Sequence, residues 1–281
     1  KYKLTGVGSP EYYNGADISF DPEGFINMSA KTYIKNVTER IEKLLGCTLK
    51  NYGSPMETGD LPEMDESDLL VGTDIPIYQM LLGCAQWAIT LGRFDIQYAT
   101  NTMARFGMMP REGHLTRCLR IFGYLKHNQK ARIVFNPATP NLEAMSFQEH
   151  DWTDIYQFAE EYIDENCPIP KMDNELSITA YVDASHATDL ITRRSVTGYI
   201  IFVGQAIVKW YSKRQNTVET STYGSELVAM RIALEAILEI RYKLRAMGIK
   251  FERTSTILCD NQSVIYNTQF VYGRRLLPNT K

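Results

Sequence analysis

In the last third of the chain two apolar runs each end on an aspartate: residues 178–182 lead into Asp183, and residues 255–259 lead into Asp260. Between them lie two more strand-like runs, 198–203 and 206–210, around a Gly204-Gln205 turn. A stretch of helical period then runs from 220 to 247 and stops at Gly248, and the start of another helix follows Asp260. The order β, β, β, α, β, α leaves few arrangements, the simplest being a mixed sheet with helices packed on it. Ligand sites in such sheets form at the carboxyl ends of strands, so the two aspartates stand where a side chain can carry chemistry.

Glu226 lies on the intervening helix with Met230 and Leu234 at i+4 and i+8, a spacing that predicts a side chain directed toward the sheet. A lone buried glutamate costs several kcal/mol unless something compensates it. Three carboxylates gathered at one sheet edge repel one another, and a divalent cation is the simplest compensation. Hard oxygen ligands select Mg²⁺ or Mn²⁺. Two such ions about 4 Å apart can activate a water and stabilise the leaving oxygen of a phosphodiester, with no histidine or serine nucleophile. Taken singly, each of these acids is an ordinary strand-end cap or a solvated helix residue. The order Asp183, Glu226, Asp260 on strand, helix, strand is what points to one site, so all three are read as catalytic and metal-binding.

The first part of the chain reads differently. Residues 12–20 alternate as a strand, Asp21-Pro22-Glu23-Gly24 supplies a turn, and 25–28 form a second strand. From Ser29, a good N-cap, apolar residues recur at helical spacing as far as Gly46. Residues 51–68 are rich in Gly, Pro and acid and read as an exposed loop, without the spacing or central glycine of an EF-hand. Three amphipathic helices are expected at 76–91, 94–106 and 111–126, then a strand at 131–136. Residues 138–170 hold eight acids and no Lys or Arg, and read as a linker with a short helix near 154–163 and a domain boundary near Pro170.

Of the 281 residues, 44% are hydrophobic and 22% charged, which excludes a disordered or collagen-like chain. No run approaches the roughly 18 apolar residues a bilayer span needs, and residues 1–30 lack the progression of a signal peptide. A soluble intracellular protein without a membrane partner is expected. The five cysteines are odd in number and never spaced as CxxC, so reduced, buried thiols are expected in place of disulfides or a thiolate zinc site. Charge is uneven: residues 178–281 carry 14 basic and 8 acidic groups, against 16 and 25 in residues 1–177. The basic part suits a polyanion such as nucleic acid. The opening at Lys1 and the polar close at Leu277-Pro278-Asn279-Thr280-Lys281 suggest a piece of a longer chain.

Five ordered motifs carry a family resemblance. They are Tyr181-Val182-Asp183-Ala184, the run from Thr192 to Tyr199, Trp210-Tyr211-Ser212-Lys213-Arg214-Gln215, the run from Ser221 to Ala229, and Cys259-Asp260-Asn261-Gln262-Ser263. Together they resemble the ribonuclease H domain of copia-type retrotransposon Pol polyproteins. Upstream, Tyr12-Tyr13-Asn14-Gly15 through Tyr33-Ile34 is similar to the end of the reverse transcriptase palm. Tyr78-Gln79-Met80-Leu81-Leu82-Gly83, Arg93-Phe94-Asp95-Ile96-Gln97-Tyr98-Ala99 and Tyr124-Leu125-Lys126 resemble the thumb and connection that follow.

The resemblance implies an α/β fold, α+β upstream: a ribonuclease H-like mixed sheet with flanking helices, truncated at its C-terminus and preceded by a helical thumb/connection module. The divisions are 1–50 (end of the palm), 51–170 (thumb, connection and acidic linker) and 171–281 (incomplete ribonuclease H-like domain). It implies a hydrolase that cuts the RNA strand of RNA–DNA hybrids using Mg²⁺ or Mn²⁺ held by Asp183, Glu226 and Asp260. The family's Tyr-x-Asp-Asp polymerase motif would precede Lys1, and a fourth carboxylate would follow Lys281. Arg193, Arg194, Lys213 and Arg214 are the candidate phosphate contacts, and His186 is a surface or packing residue. Partners would be the hybrid and the remainder of the Pol polyprotein. The location would be cytoplasmic, in the element's virus-like particle, or nuclear. The competing expectation is a degenerate retroelement copy that binds nucleic acid without cutting it.

Overall fold

The computed structural model describes residues 8–142, 166, 176–251 and 254–269. Among these it has mixed α/β structure, with two four-stranded sheets and six α-helices. None of those helices is long and apolar enough to cross a membrane. The chain divides into two compact units, Lys1–Asn136 with Tyr211–Lys213, and Pro137–Trp210 with Arg214–Lys281. The helix expected near 154–163, and most of the acidic linker around it, lies outside the described residues.

In the first unit the stretch 12–20 is a hairpin, where alternation alone predicts one strand. β1 (Tyr12–Tyr13) turns back on β2 (Ala16–Phe20) through Asn14 and Gly15. Both turn residues have positive φ, 50° and 94°, which a tight two-residue hairpin demands and Asn-Gly best supplies. β3 (Ile26–Ser29) pairs antiparallel with β2, and the turn between them is held by Asp21 Oδ1, which accepts from the Glu23 and Phe25 N–H groups at 3.1 and 2.8 Å.

Ser29 is the last residue of β3 and caps nothing. Helix α1 (Lys31–Leu45) follows Ala30, and Thr32 N–H donates to Asp17 Oδ2 at 2.8 Å, so the cap comes from the adjacent strand. The helix ends at Gly46 in a left-handed conformation, as its pattern predicts.

Three helices follow near their expected places: α2 (Asp74–Thr90), α3 (Gln97–Ala104) after one 3-10 turn, and α4 (Glu112–His127). Tyr78 is fully buried and its hydroxyl donates to the Met103 carbonyl at 2.7 Å, tying α2 to the end of α3. β4 (Arg132–Phe135) then pairs with β3, Ile26 opposite Phe135, so this strand closes the N-terminal sheet.

The acidic loop ahead of α2 is largely exposed, as its composition predicts, and it is also tied down. Arg117 on α4 forks onto Asp60 at 2.8 Å through two nitrogens and reaches Asp65 at 2.5 Å. Three positions along the helix, Arg120 takes Glu57 at 2.6 Å and lies 4.5 Å from the Tyr52 ring centre. One more turn on, a Cβ at Gly123 would sit 2.1 Å from the Lys50 carbonyl oxygen, so only glycine admits the strand of chain that crosses there.

In the second unit the elements are β5 (Ile178–Ser185), β6 (Val196–Val203), β7 (Ala206–Arg214), α5 (Thr222–Ala246), β8 (Thr256–Cys259) and α6 (Gln262–Gln269). The sheet order is β7-β6-β5-β8. β5 and β6 are antiparallel and β5 and β8 parallel, the mixed sheet the sequence predicts. β5 runs two residues past Asp183, and β7 four residues past the expected end at 210. Ser221 caps α5 by accepting the Gly224 N–H at 3.2 Å. The buried face of α5 is Ala229, Ala233, Ala236, Ile237 and Ile240, packed on β5 and β6. Leu234 is 46% exposed, so the inner face follows i+3 and i+7 from Glu226 in place of the i+4 and i+8 that its apolar neighbours predict.

Candidate metal centre

The parallel pairing of β5 and β8 sets Val182 opposite Cys259, which brings Asp183 and Asp260 to the same end of adjacent strands. Alternation along β5 buries Val182 and Ala184 and leaves Asp183 exposed, and Asp260, just past β8, is exposed as well. Glu226 enters from the first turns of α5 and is only 6% exposed. Glu226 therefore has both strand-end aspartates as neighbours, but of the three acids only Glu226 and Asp260 belong to the group whose ligand atoms all lie within 4.8 Å of one another.

Burial first, and then the charges of Asp183 and Asp260, push the Glu226 carboxyl up to about 7, against the partial relief of a hydrogen bond from the Ala184 N–H. Asp183 is also within hydrogen-bonding reach of the Glu226 carboxyl, which favours the protonated form. Glu226 Oε2 is buried and receives no hydrogen bond. A buried acceptor without a donor, facing two more carboxylates, has a defined shortage of positive charge. Oxygen donors in this arrangement suit a hard divalent cation.

One neighbour of these acids was not anticipated. Ligand atoms of Glu226, Cys259 and Asp260 all lie within 4.8 Å of one another. Strand alternation places residues 259 and 260 on opposite faces, and that rule lapses here because β8 ends at Cys259. Burial raises the pKa of the Cys259 thiol, and the surrounding carboxylates raise it further, so it is a protonated neighbour of the oxygen donors. The expectation of buried thiols holds for Cys118 alone among the described cysteines: Cys47 is exposed, and Cys84 and Cys259 are partly exposed. Cys167 lies outside the described residues.

The basic candidates separate by partner. Arg214 Nη1 sits 2.6 Å from Asp189 Oδ2, and Asp189 is 3% exposed. The other oxygen of Asp189 accepts the N–H groups of Ile191 and Thr192 at 3.1 and 2.8 Å, so Arg214 serves the loop between β5 and β6. Arg193 in that loop is exposed with φ 56°, and Arg194 is partly buried. Lys213 is exposed and pairs with no acid among the described residues. Lys213 and Arg214, adjacent on β7, project to opposite faces and cannot act as one contact. His186 is partly buried, with Nδ1 3.4 Å from Ser225 Oγ.

No protein-family model matches the chain, and no solved structure does. Curated relatives do. Over 255 residues, 91% of this chain, it is 27% identical to the retrovirus-related Pol polyprotein from transposon RE1 of Arabidopsis thaliana, of which the match covers 14%. The Pol polyprotein from transposon RE2 of the same plant is 25% identical over 258 residues, 15% of its length. A putative transposon Ty5-1 protein of Saccharomyces cerevisiae is 23% identical over 244 residues, covering 85% of this chain and 64% of that protein. The chain thus spans about a seventh of the first two relatives. Across nine tenths of its length, this chain is homologous to one segment of retrotransposon Pol polyproteins.

Proposed function

We propose that residues 171–281 are the ribonuclease H-like part of a retrotransposon Pol protein, cutting the RNA strand of RNA–DNA hybrids with Mg²⁺ or Mn²⁺ held by Asp183, Glu226 and Asp260. The observation that carries this reading is the buried, donor-less Glu226 Oε2 beside two exposed strand-end aspartates. The sheet order β7-β6-β5-β8 with α5 packed on it is consistent with the fold the motifs imply. The upstream unit corresponds, in this reading, to the end of the reverse transcriptase palm with thumb and connection.

Divalent ions, when bound, would supply Lewis acidity toward the phosphodiester and lower the pKa of an attacking water. The chain's own contribution is positional. Ala184 N–H fixes Glu226 at the back of the site, while Asp183 and Asp260 face solvent where a phosphate backbone can approach. Arg193, Arg194 and Lys213 are free to meet phosphates, and Arg214 holds the loop that carries the first two. Shape and 2′-hydroxyls would supply selectivity for the RNA strand. The parent protein would work in the cytoplasm, within the element's particle, or in the nucleus.

The test is cleavage of a labelled hybrid in Mg²⁺ by this chain lengthened at both ends to match its relatives. Asp183→Asn should lower the rate by about three orders of magnitude and leave hybrid binding within about 3-fold. Cleavage by the variant at a rate near that of the parent would remove the metal role. Tight hybrid binding with no cleavage by the lengthened parent would favour a non-catalytic remnant.

A further inference from the structure

We propose that Cys259, with Glu226 and Asp260, forms a site for a soft divalent ion of the Zn²⁺ class, which competes with the hard ion of the proposed function. The inference rests on that reading only in placing a cation among these acids. Its own ground is the thiol. The sulfur of Cys259 and one carboxylate oxygen each of Glu226 and Asp260 lie within 4.8 Å of one another. A tetrahedral zinc with Zn–O of about 2.1 Å and Zn–S of about 2.3 Å spaces its ligands about 3.4–3.6 Å apart. Side-chain rotation of about 1 Å closes that difference. Among the described residues no other group of three His, Cys, Asp or Glu side chains meets in this way.

A cysteine beside two acids would not suffice without a second sign of a ligand. Glu226 gives it: the side chain is more than nine-tenths buried, and Oε2 has no hydrogen-bond partner. Mg²⁺ would take the carboxylates and leave the thiol, since hard cations prefer oxygen; Zn²⁺ accepts oxygen and sulfur together. On binding, the Cys259 Sγ–H bond breaks, its proton passes to solvent and a Zn–S bond forms, with no change in oxidation state. A fourth position stays open for water, as in zinc sites with three protein ligands. The same two carboxylates cannot serve both ions, so a zinc-loaded chain would be unavailable to Mg²⁺.

Titrating the whole chain with Zn²⁺ by calorimetry, and with Mn²⁺ by water-proton relaxation, tests this. Cys259→Ser should weaken Zn²⁺ by about 10-fold or more and leave Mn²⁺ within about 2-fold. Asp260→Asn should weaken both. A measurement on the unaltered sequence guards against a variant that folds poorly: Zn²⁺ should slow alkylation of Cys259 by iodoacetamide by about 10-fold, read by peptide mass, because the free thiolate is the nucleophile. Equal Zn²⁺ affinity in parent and Cys259→Ser, or unprotected Cys259 in saturating Zn²⁺, overturns the inference; if Mn²⁺ still binds, the proposed function stands. A parent chain that binds neither ion overturns both.

Discussion

Asp60 and Asp65 meet Arg117, whereas Glu226 meets two further acids, Asp183 and Asp260. Each cluster has one well-buried acid, Asp65 in the first and Glu226 in the second, and the protonation of these two moves in opposite directions. Burial would raise Asp65, but hydrogen bonds from Ser67 and Arg117 outweigh it and hold its carboxyl below the ordinary range. Its partner Arg117 is held above its ordinary value, first by the hydrogen bond to Asp60. Burial raises Glu226 as well, and the neighbouring charges add to the effect. Acids that fasten a loop carry their counter-charge within the fold. Acids that lack one have an opening for a charge from outside, and this difference separates the two clusters where acid count does not.

The comparison can be broken at the loop. Arg117→Leu puts Asp60 and Asp65 in the uncompensated state of the other cluster, and should cost about 3 kcal/mol of unfolding free energy in urea. Adding Asp60→Asn and Asp65→Asn to that variant should recover most of the loss. A cost below about 0.5 kcal/mol would mean that water, and not Arg117, satisfies these acids.

Glu226→Gln should act with the opposite sign on the metal-free chain. Because the folded carboxyl titrates near 7, above the ordinary 4.5, the folded state binds the extra proton between those values. Stability from this group is therefore complete below pH 4.5 and is lost as pH rises through 7. The variant should match the parent near the acid end and exceed it by about 3 kcal/mol at pH 8, measured by denaturant unfolding at each pH in a chelator. Saturating Mg²⁺ should narrow the gap at pH 8 by stabilising the parent alone. A gap independent of pH would mean that Glu226 is no more strained than an acid of the loop.

The smallest effect concerns the two basic residues at the end of β7. Arg214 already spends its charge on Asp189, as Arg117 does on Asp60, and Lys213 does not. In hybrid binding at several salt concentrations, Lys213→Ala should flatten the slope of log K against log salt by about 0.7–0.9. Arg214→Ala should leave the slope unchanged and lower stability instead, since Asp189 remains buried. The reverse pattern would make Arg214 the phosphate contact and Lys213 a solvated strand residue.

Local chemistry explains what the sequence discloses. Helical period marked α1 through α5 to within a few residues, and the Gly46 stop was visible because a left-handed C-cap has a compositional signature. The three acids were legible because strand ends and one helix turn are local features. Non-local pairing was not. Nothing near residue 133 says that β4 lies beside β3, or near Asp60 that its partner is Arg117, 57 positions away. The role of Ser29 failed for the same reason, since the N–H donor it was expected to satisfy is taken by Asp17 on a neighbouring strand. Cys259 stayed hidden because a strand's last residue escapes the alternation that sorts its neighbours.

The parallel ladder between β5 and β8 also has a bearing on when the site comes into being. Its members Val182 and Cys259 are 77 positions apart, while β6 and β7 are joined by a two-residue turn. Closing the longer loop carries the larger entropy loss and is the slower event. The repulsion among Asp183, Glu226 and Asp260 thus falls on the last stage of assembly, after the hairpin has formed. A cation that recognises only the finished cluster would slow unfolding and leave the folding rate nearly unchanged, so the lifetime of the native state, more than the speed of reaching it, is what such a cation would set.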